Sequence, residues 1–106
     1  VDFHKPNPEP YLKAIKLSGI KKNNSIVFED SNAGLRSALG ANLPTIYIPS
    51  NVPTVIEKDI KLDCIIDSLG DLDTMAKVIK GPKLIKNYVD FSFLNNYLVL
   101  NSDAKD

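Results

Sequence analysis

At 106 residues the chain has room for one small domain and little more. Thirteen basic residues balance thirteen acidic ones, which argues against a nucleic-acid binder, where basic side chains gather in excess on one face. No apolar run approaches the roughly eighteen residues of a membrane span, and Val1-Asp2-Phe3-His4-Lys5 lacks the apolar stretch of a secretory leader. One cysteine and one histidine rule out a self-contained zinc site of the usual type. Cys64 has no internal disulfide partner and lies in the apolar run Cys64-Ile65-Ile66. It reads as a small buried hydrophobe of a reducing, cytoplasmic protein.

In chain order, Pro8-Glu9-Pro10 opens a helix with apolar positions at Tyr11, Leu12, Ala14, Ile15 and Leu17. Prolines are tolerated in a first turn, where their missing N–H groups would be unpaired anyway, and Gly19 is placed to end the helix. Ser25-Ile26-Val27-Phe28 follows as a strand covered on both faces. Asp30-Ser31-Asn32 offers N-caps for a helix over residues 33–39, closed by Gly40-Ala41-Asn42. Pro44-Thr45-Ile46-Tyr47-Ile48 is a second strand, Val55-Ile56-Glu57-Lys58 a short helix, and Leu62-Asp63-Cys64-Ile65-Ile66 a third strand.

Asp67-Ser68 caps a helix over residues 69–79, with Leu69, Leu72, Met75, Ala76 and Ile79 on one face. Gly81-Pro82 interrupts the pattern. The apolar segment over residues 85–100 reads as a C-terminal helix that packs through Phe91, Leu94 and Leu98. Residues 102–106 read as a frayed polar tail. Strands alternating with helices at this spacing imply an α/β fold with a parallel sheet and crossover helices.

Two motifs carry chemistry. In Lys5-Pro6-Asn7-Pro8 the proline restricts the backbone and presents the lysine as a point charge. In Phe28-Glu29-Asp30-Ser31-Asn32-Ala33-Gly34, two adjacent carboxylates fall where an apolar strand ends and a helix begins. Open α/β sheets bind ligands at that end of their strands. Adjacent acids repel unless a cation or basic group neutralises them, and hard oxygen donors suit magnesium.

Taken together, the Lys-Pro-x-Pro loop, one helix, a buried strand and Glu-Asp-Ser-x-x-Gly resemble the haloacid dehalogenase-like hydrolase superfamily. Within it they look like the branch of β-phosphoglucomutase and small sugar-phosphate phosphatases. The resemblance extends through Ala38-Leu39-Gly40-Ala41-Asn42 to Asp67-Ser68-Leu69-Gly70-Asp71-Leu72. It implies residues 1–80 as the C-terminal part of the core domain, a partial Rossmann-like parallel sheet with flanking helices. Residues 81–106 would then be a helical extension and tail.

The resemblance also implies residue roles. Lys5 would contact the phosphoryl group and the nucleophilic aspartate. Asp30 would bind Mg2+, and Glu29 would bind it directly or through water. Ser31 and Asn32 would shape the loop around the metal, while Gly34 would permit close helix–sheet packing. The substrate would be a small phosphorylated metabolite.

The family's nucleophile, an aspartate in a DxDxT motif ending an apolar strand, has no match here. Asp71-Leu72-Asp73-Thr74 looks superficially similar, but no apolar strand ends at Asp71 and the segment reads as helical. The nucleophile strand would lie upstream of Val1. Without it, residues 25–28 would form an unpaired edge, and the chain would self-associate or pair with that missing half. The reading from another functional class is a non-catalytic fragment that binds magnesium or phosphate, or serves as an oligomerisation module.

Overall fold

The computed structural model describes residues 5–50, 52 and 54–105, with side chains up to Asn101. It is a four-stranded sheet in the order β1-β2-β3-β4, comprising β1 (Val27–Glu29), β2 (Thr45–Tyr47), β3 (Ile65–Ile66) and β4 (Val78–Lys80). The first three strands run parallel, as expected of strands linked by crossovers. β4 returns antiparallel to β3, with a register shift between Ile65 and Ile66. Helices α1 (Glu9–Ser18), α2 (Asn32–Gly40) and α3 (Phe91–Lys105) flank the sheet.

The sequence of β2 explains the layering. Successive side chains of a strand point to opposite faces, and all three residues of β2 are buried. Ile46 packs with Cys64, Ile66, Phe93 and Tyr97, which seats α3 on one face. Tyr47 packs with Leu35 and Leu62, which seats α2 on the other. A parallel strand buried on both faces is the reason an unbroken β-branched run sits here.

Cys64 is fully buried in the α3-side cluster. Burial, with Asp63 beside it, pushes its thiol up from 9.0 to about 12. A thiol held protonated and away from solvent is a poor nucleophile.

Both ends of α1 and the start of α2 follow the sequence. Pro10 lies in the first turn of α1, and the Glu9 N–H donates to Asn7 Oδ1 at 2.9 Å. Gly19 closes α1 in the left-handed region, with φ of 72°, a conformation that glycine adopts without penalty. The Gly34 N–H donates to Ser31 Oγ at 3.0 Å, so Ser31 is the N-cap of α2.

Five expectations need correction. No helix spans residues 69–79: the segment is irregular up to β4, and Leu69, Leu72, Met75 and Ile79 are exposed. Asp71 Oδ1 accepts the N–H groups of Asp73 and Thr74, and Asp67 Oδ1 accepts that of Lys77. Gly70 takes a φ of 73°. Short acidic side chains bonding nearby amides offer the backbone an alternative to the helix, and they win here. The Asp71–Thr74 letters therefore belong to a turn.

Residues 55–58 are also not helical. Their backbone is held by α2 instead: Asn32 Nδ2 donates to the Val55 carbonyl and the Glu57 N–H donates to Asn32 Oδ1. β1 is not covered on both faces, since Phe28 is 39% exposed. The C-terminal helix forms, and Leu94 packs on the core as expected, but the buried apolar residues of the helix are Phe93 and Tyr97, while Phe91 is 81% exposed. α3 continues through Lys105 rather than fraying from Ser102. The readings at residues 1–4, at Pro53 and at Asp106 lie outside the described residues.

α3 is fastened by a polar network as well as by its aromatic residues. The Thr45 N–H donates to the Tyr97 hydroxyl at 3.0 Å, and that hydroxyl donates to Asp63 Oδ1 at 2.8 Å. Asn101 Nδ2 donates to Asp63 Oδ2 at 2.6 Å. Tyr97→Phe keeps the packing but leaves a buried backbone N–H without this acceptor. Such orphaned groups cost about 1–3 kcal/mol. Urea denaturation should show a loss of that size, and a loss below about 0.5 kcal/mol, the ordinary scatter of surface substitutions, would contradict this account.

Among the described residues, no helix is long and apolar enough to cross a membrane.

Candidate functional site

The two motifs, separated by 24 positions, converge at the C-terminal end of β1. Lys5 Nζ donates to Glu29 Oε1 at 2.8 Å, which is an ion pair. The Tyr11 hydroxyl donates to the same oxygen, and Lys5 Nζ lies 5.3 Å from the centroid of the Tyr11 ring, within the range of a cation–π contact. Burial first, and the Glu29 carboxylate second, raise the Tyr11 phenol well above its ordinary value. The hydroxyl therefore remains a donor throughout the neutral range.

The loop carrying Lys5 is docked on α2. Ser37 Oγ donates to the Asn7 carbonyl at 2.6 Å, and Pro8 lies against Gly40. Sequence reasoning placed Tyr11 on an apolar helix face and missed its contact with Glu29. The available signal was a tyrosine in the first turn of α1, six positions beyond Lys5, where its ring stays near the loop.

Glu29 is 7% exposed, whereas Asp30, one residue later, is on the surface. The Glu29 carboxylate lies against the first turn of α2, where a Cβ at Gly34 would overlap it. Gly34 thus makes room for a carboxylate, a more specific need than close helix–sheet packing. A helix N-terminus also favours negative charge nearby.

Ser31 and Asn32 occupy the connection. Ser31 caps α2, and Asn32 holds residues 55 and 57. The Thr54 hydroxyl donates to the Asp30 carbonyl at 3.2 Å, so the segment after β2 borders the site. Arg36 fastens that segment further on, donating to Glu57 at 3.0 Å and Asp59 at 2.7 Å. The guanidinium holds the Asp59 carboxyl below its usual range.

Among the described residues, no three His, Cys, Asp or Glu side chains are grouped to hold a metal. Asp30 and Glu29 form a two-carboxylate set with one member exposed. That set fits the protein's share of a magnesium site, which commonly takes one or two carboxylates together with waters and substrate phosphate. It does not complete such a site alone.

Residues 1–48, which include both motifs, match the family of haloacid dehalogenase-like hydrolases. The chain is 32% identical over 83 residues, 78% of its length, to Protein SUPPRESSOR OF QUENCHING 1, chloroplastic, of Arabidopsis thaliana, covering 8% of that relative. It is 44% identical over 46 residues to Protein CbbY of Rhodobacter capsulatus, and 37% identical over 46 residues to the plasmid-borne Protein CbbY of Cupriavidus necator. Each of these two matches spans 43% of the chain, with 20% and 18% of the respective relative covered. The chain therefore matches a fifth or less of each of these relatives. No solved structure matches it. The parallel sheet, the paired Lys5 and Glu29 at its C-terminal end and these similarities lead to one assignment: residues 1–48, which hold both motifs, belong to the haloacid dehalogenase-like hydrolase family.

Proposed function

We propose that this chain is the C-terminal portion of a magnesium-dependent phosphohydrolase of the phosphatase or phosphoglucomutase type, acting on a small phosphorylated metabolite. The observation that carries the reading is the Lys5–Glu29 pair, 2.8 Å apart beside exposed Asp30 at the C-terminal end of β1. The nucleophile, an aspartate that would carry the phosphoryl group, belongs to a strand outside this chain.

On this reading Asp30 ligates Mg2+ and Glu29 does so directly or through water. The ion, when bound, neutralises phosphate charge and polarises phosphorus–oxygen bonds. Lys5 supplies a fixed positive charge where negative charge develops in the transition state. Ser31 and Asn32 hold the turn that aims Asp30. Cys64, buried and without a disulfide partner in this chain, supports a reducing location such as the cytoplasm.

The partner of β1 is part of the proposal. Val27 and Glu29 bond to β2, as in the Val27 N–H to Pro44 carbonyl bond at 2.8 Å and the Ile48 N–H to Glu29 carbonyl bond at 3.0 Å. Strand alternation then turns the N–H and C=O of Phe28 to the other side, where the described residues provide no strand. A second copy or the nucleophile strand would fill it.

One experiment tests these points together. Sedimentation and phosphatase assays with Mg2+ are run on the chain alone and on the chain mixed with a separately produced upstream segment carrying DxDxT. The chain alone should self-associate and be inactive, and the mixture should give a one-to-one complex with Mg2+-dependent turnover. A stable monomer with a protected Phe28 amide argues against the open edge. An inactive one-to-one complex argues against the enzyme and favours a non-catalytic binding module.

A further inference from the structure

Glu29 and Lys5 are unequally placed: the carboxylate side chain is 8% exposed and the lysine side chain 45%. The lysine can turn toward a phosphoryl group at the surface, and the carboxylate cannot follow. Before a metal ion binds, Lys5 is the cation paired with Glu29 among the described residues. A buried carboxylate stripped of its paired cation is strongly disfavoured, so drawing Lys5 away from Glu29 would oppose phosphate binding. The Tyr11 hydroxyl already donates to the oxygen that Lys5 holds.

We propose that Tyr11 is a positioning residue that keeps Glu29 hydrogen-bonded while Lys5 turns to the phosphoryl group, so that phosphate captures the lysine without exposing a bare buried carboxylate. The ring suits this task. It lies 5.3 Å from the ammonium and gives the lysine a surface to pivot on. Phenylalanine would keep that surface and lose the donor. The inference rests on Lys5 being the phosphate-binding lysine of the proposed function.

The test is a double-variant cycle on the full 106-residue chain without added Mg2+, with inorganic phosphate as the probe. The Lys5 Nζ NMR signal reports binding, and backbone spectra confirm that each variant folds. Tyr11→Phe should weaken the phosphate response at Lys5 about tenfold, the scale of losing a hydrogen bond to a charged group. In a Glu29→Gln background, where no carboxylate retains the lysine, Tyr11→Phe should change the response less than twofold.

Equal weakening in both backgrounds, or none in either, overturns the role of Tyr11 and leaves the lysine assignment standing. No response at Lys5 in the parent chain, or a response that Lys5→Ala leaves unchanged at other signals, overturns the proposed function and this inference with it.

Discussion

Asp30→Ala should lower Mg2+-dependent phosphoryl transfer by at least about a thousandfold in the complex that contains the nucleophile strand, and should leave the fold intact. A bound divalent ion supplies several kcal/mol of charge stabilisation at the transition state, and each 1.36 kcal/mol is a factor of about ten in rate. Among the described residues the exposed Asp30 side chain makes no hydrogen bond, while its carbonyl, which accepts from Thr54, survives the substitution. Stability should therefore change by no more than about 0.5 kcal/mol. Denaturation and a magnesium titration of the rate check both halves. Undiminished turnover would remove Asp30 from the metal site, and gross unfolding would show that its role is structural.

The second large effect is expected at Gly34. In an ordinary helix interior, Gly→Ala stabilises by about 1 kcal/mol. Here the new methyl group would overlap the Glu29 carboxylate, and overpacking costs about 1–3 kcal/mol. The carboxylate is the end of a flexible side chain, so Gly34→Ala should expel it from Lys5 and Tyr11 rather than dismantle α2. Lys5 would then lose its partner, and the spectra of Lys5 Nζ and the Tyr11 ring should both move. A variant about 1 kcal/mol more stable, with those spectra unchanged, would mean that the pocket around Glu29 is looser than the structure shows.

The parts of this site that were legible in the sequence are those fixed by local rules. Ser31 caps α2 because a hydroxyl placed before a helix meets an unpaired amide three residues on. The Asp30 position followed from a strand giving way to a helix. Lys5 and Glu29 were each identified, and only folding could show that they touch. Tyr11 was misread because periodicity records that a face is apolar and says nothing of what its hydroxyl reaches.

The missed segment after β3 failed for a related reason. Leu69, Leu72, Met75 and Ile79 recur as on a helix face, yet Asp67 and Asp71 sit where their carboxylates satisfy backbone amides locally. Apolar spacing favours a helix there, and the turn chemistry of the two aspartates overrides it. In α3, the choice of Phe93 and Tyr97 over Phe91 depends on Asp63 and Thr45, more than thirty and fifty residues away in sequence respectively.

The arrangement of β4 gives this sheet a direction of growth. β4 runs against its neighbour, carries a shifted register and leads directly into Gly81-Pro82, all features that discourage another strand from joining on that side. The opposite side presents Phe28, whose main chain pairs with no strand among the described residues. Any strand recruited to the sheet should therefore arrive beside Glu29 and within reach of Lys5 and Asp30. On the reading proposed here, extending the sheet and completing the catalytic centre are a single event, so a half-assembled protein would have no working site to misuse.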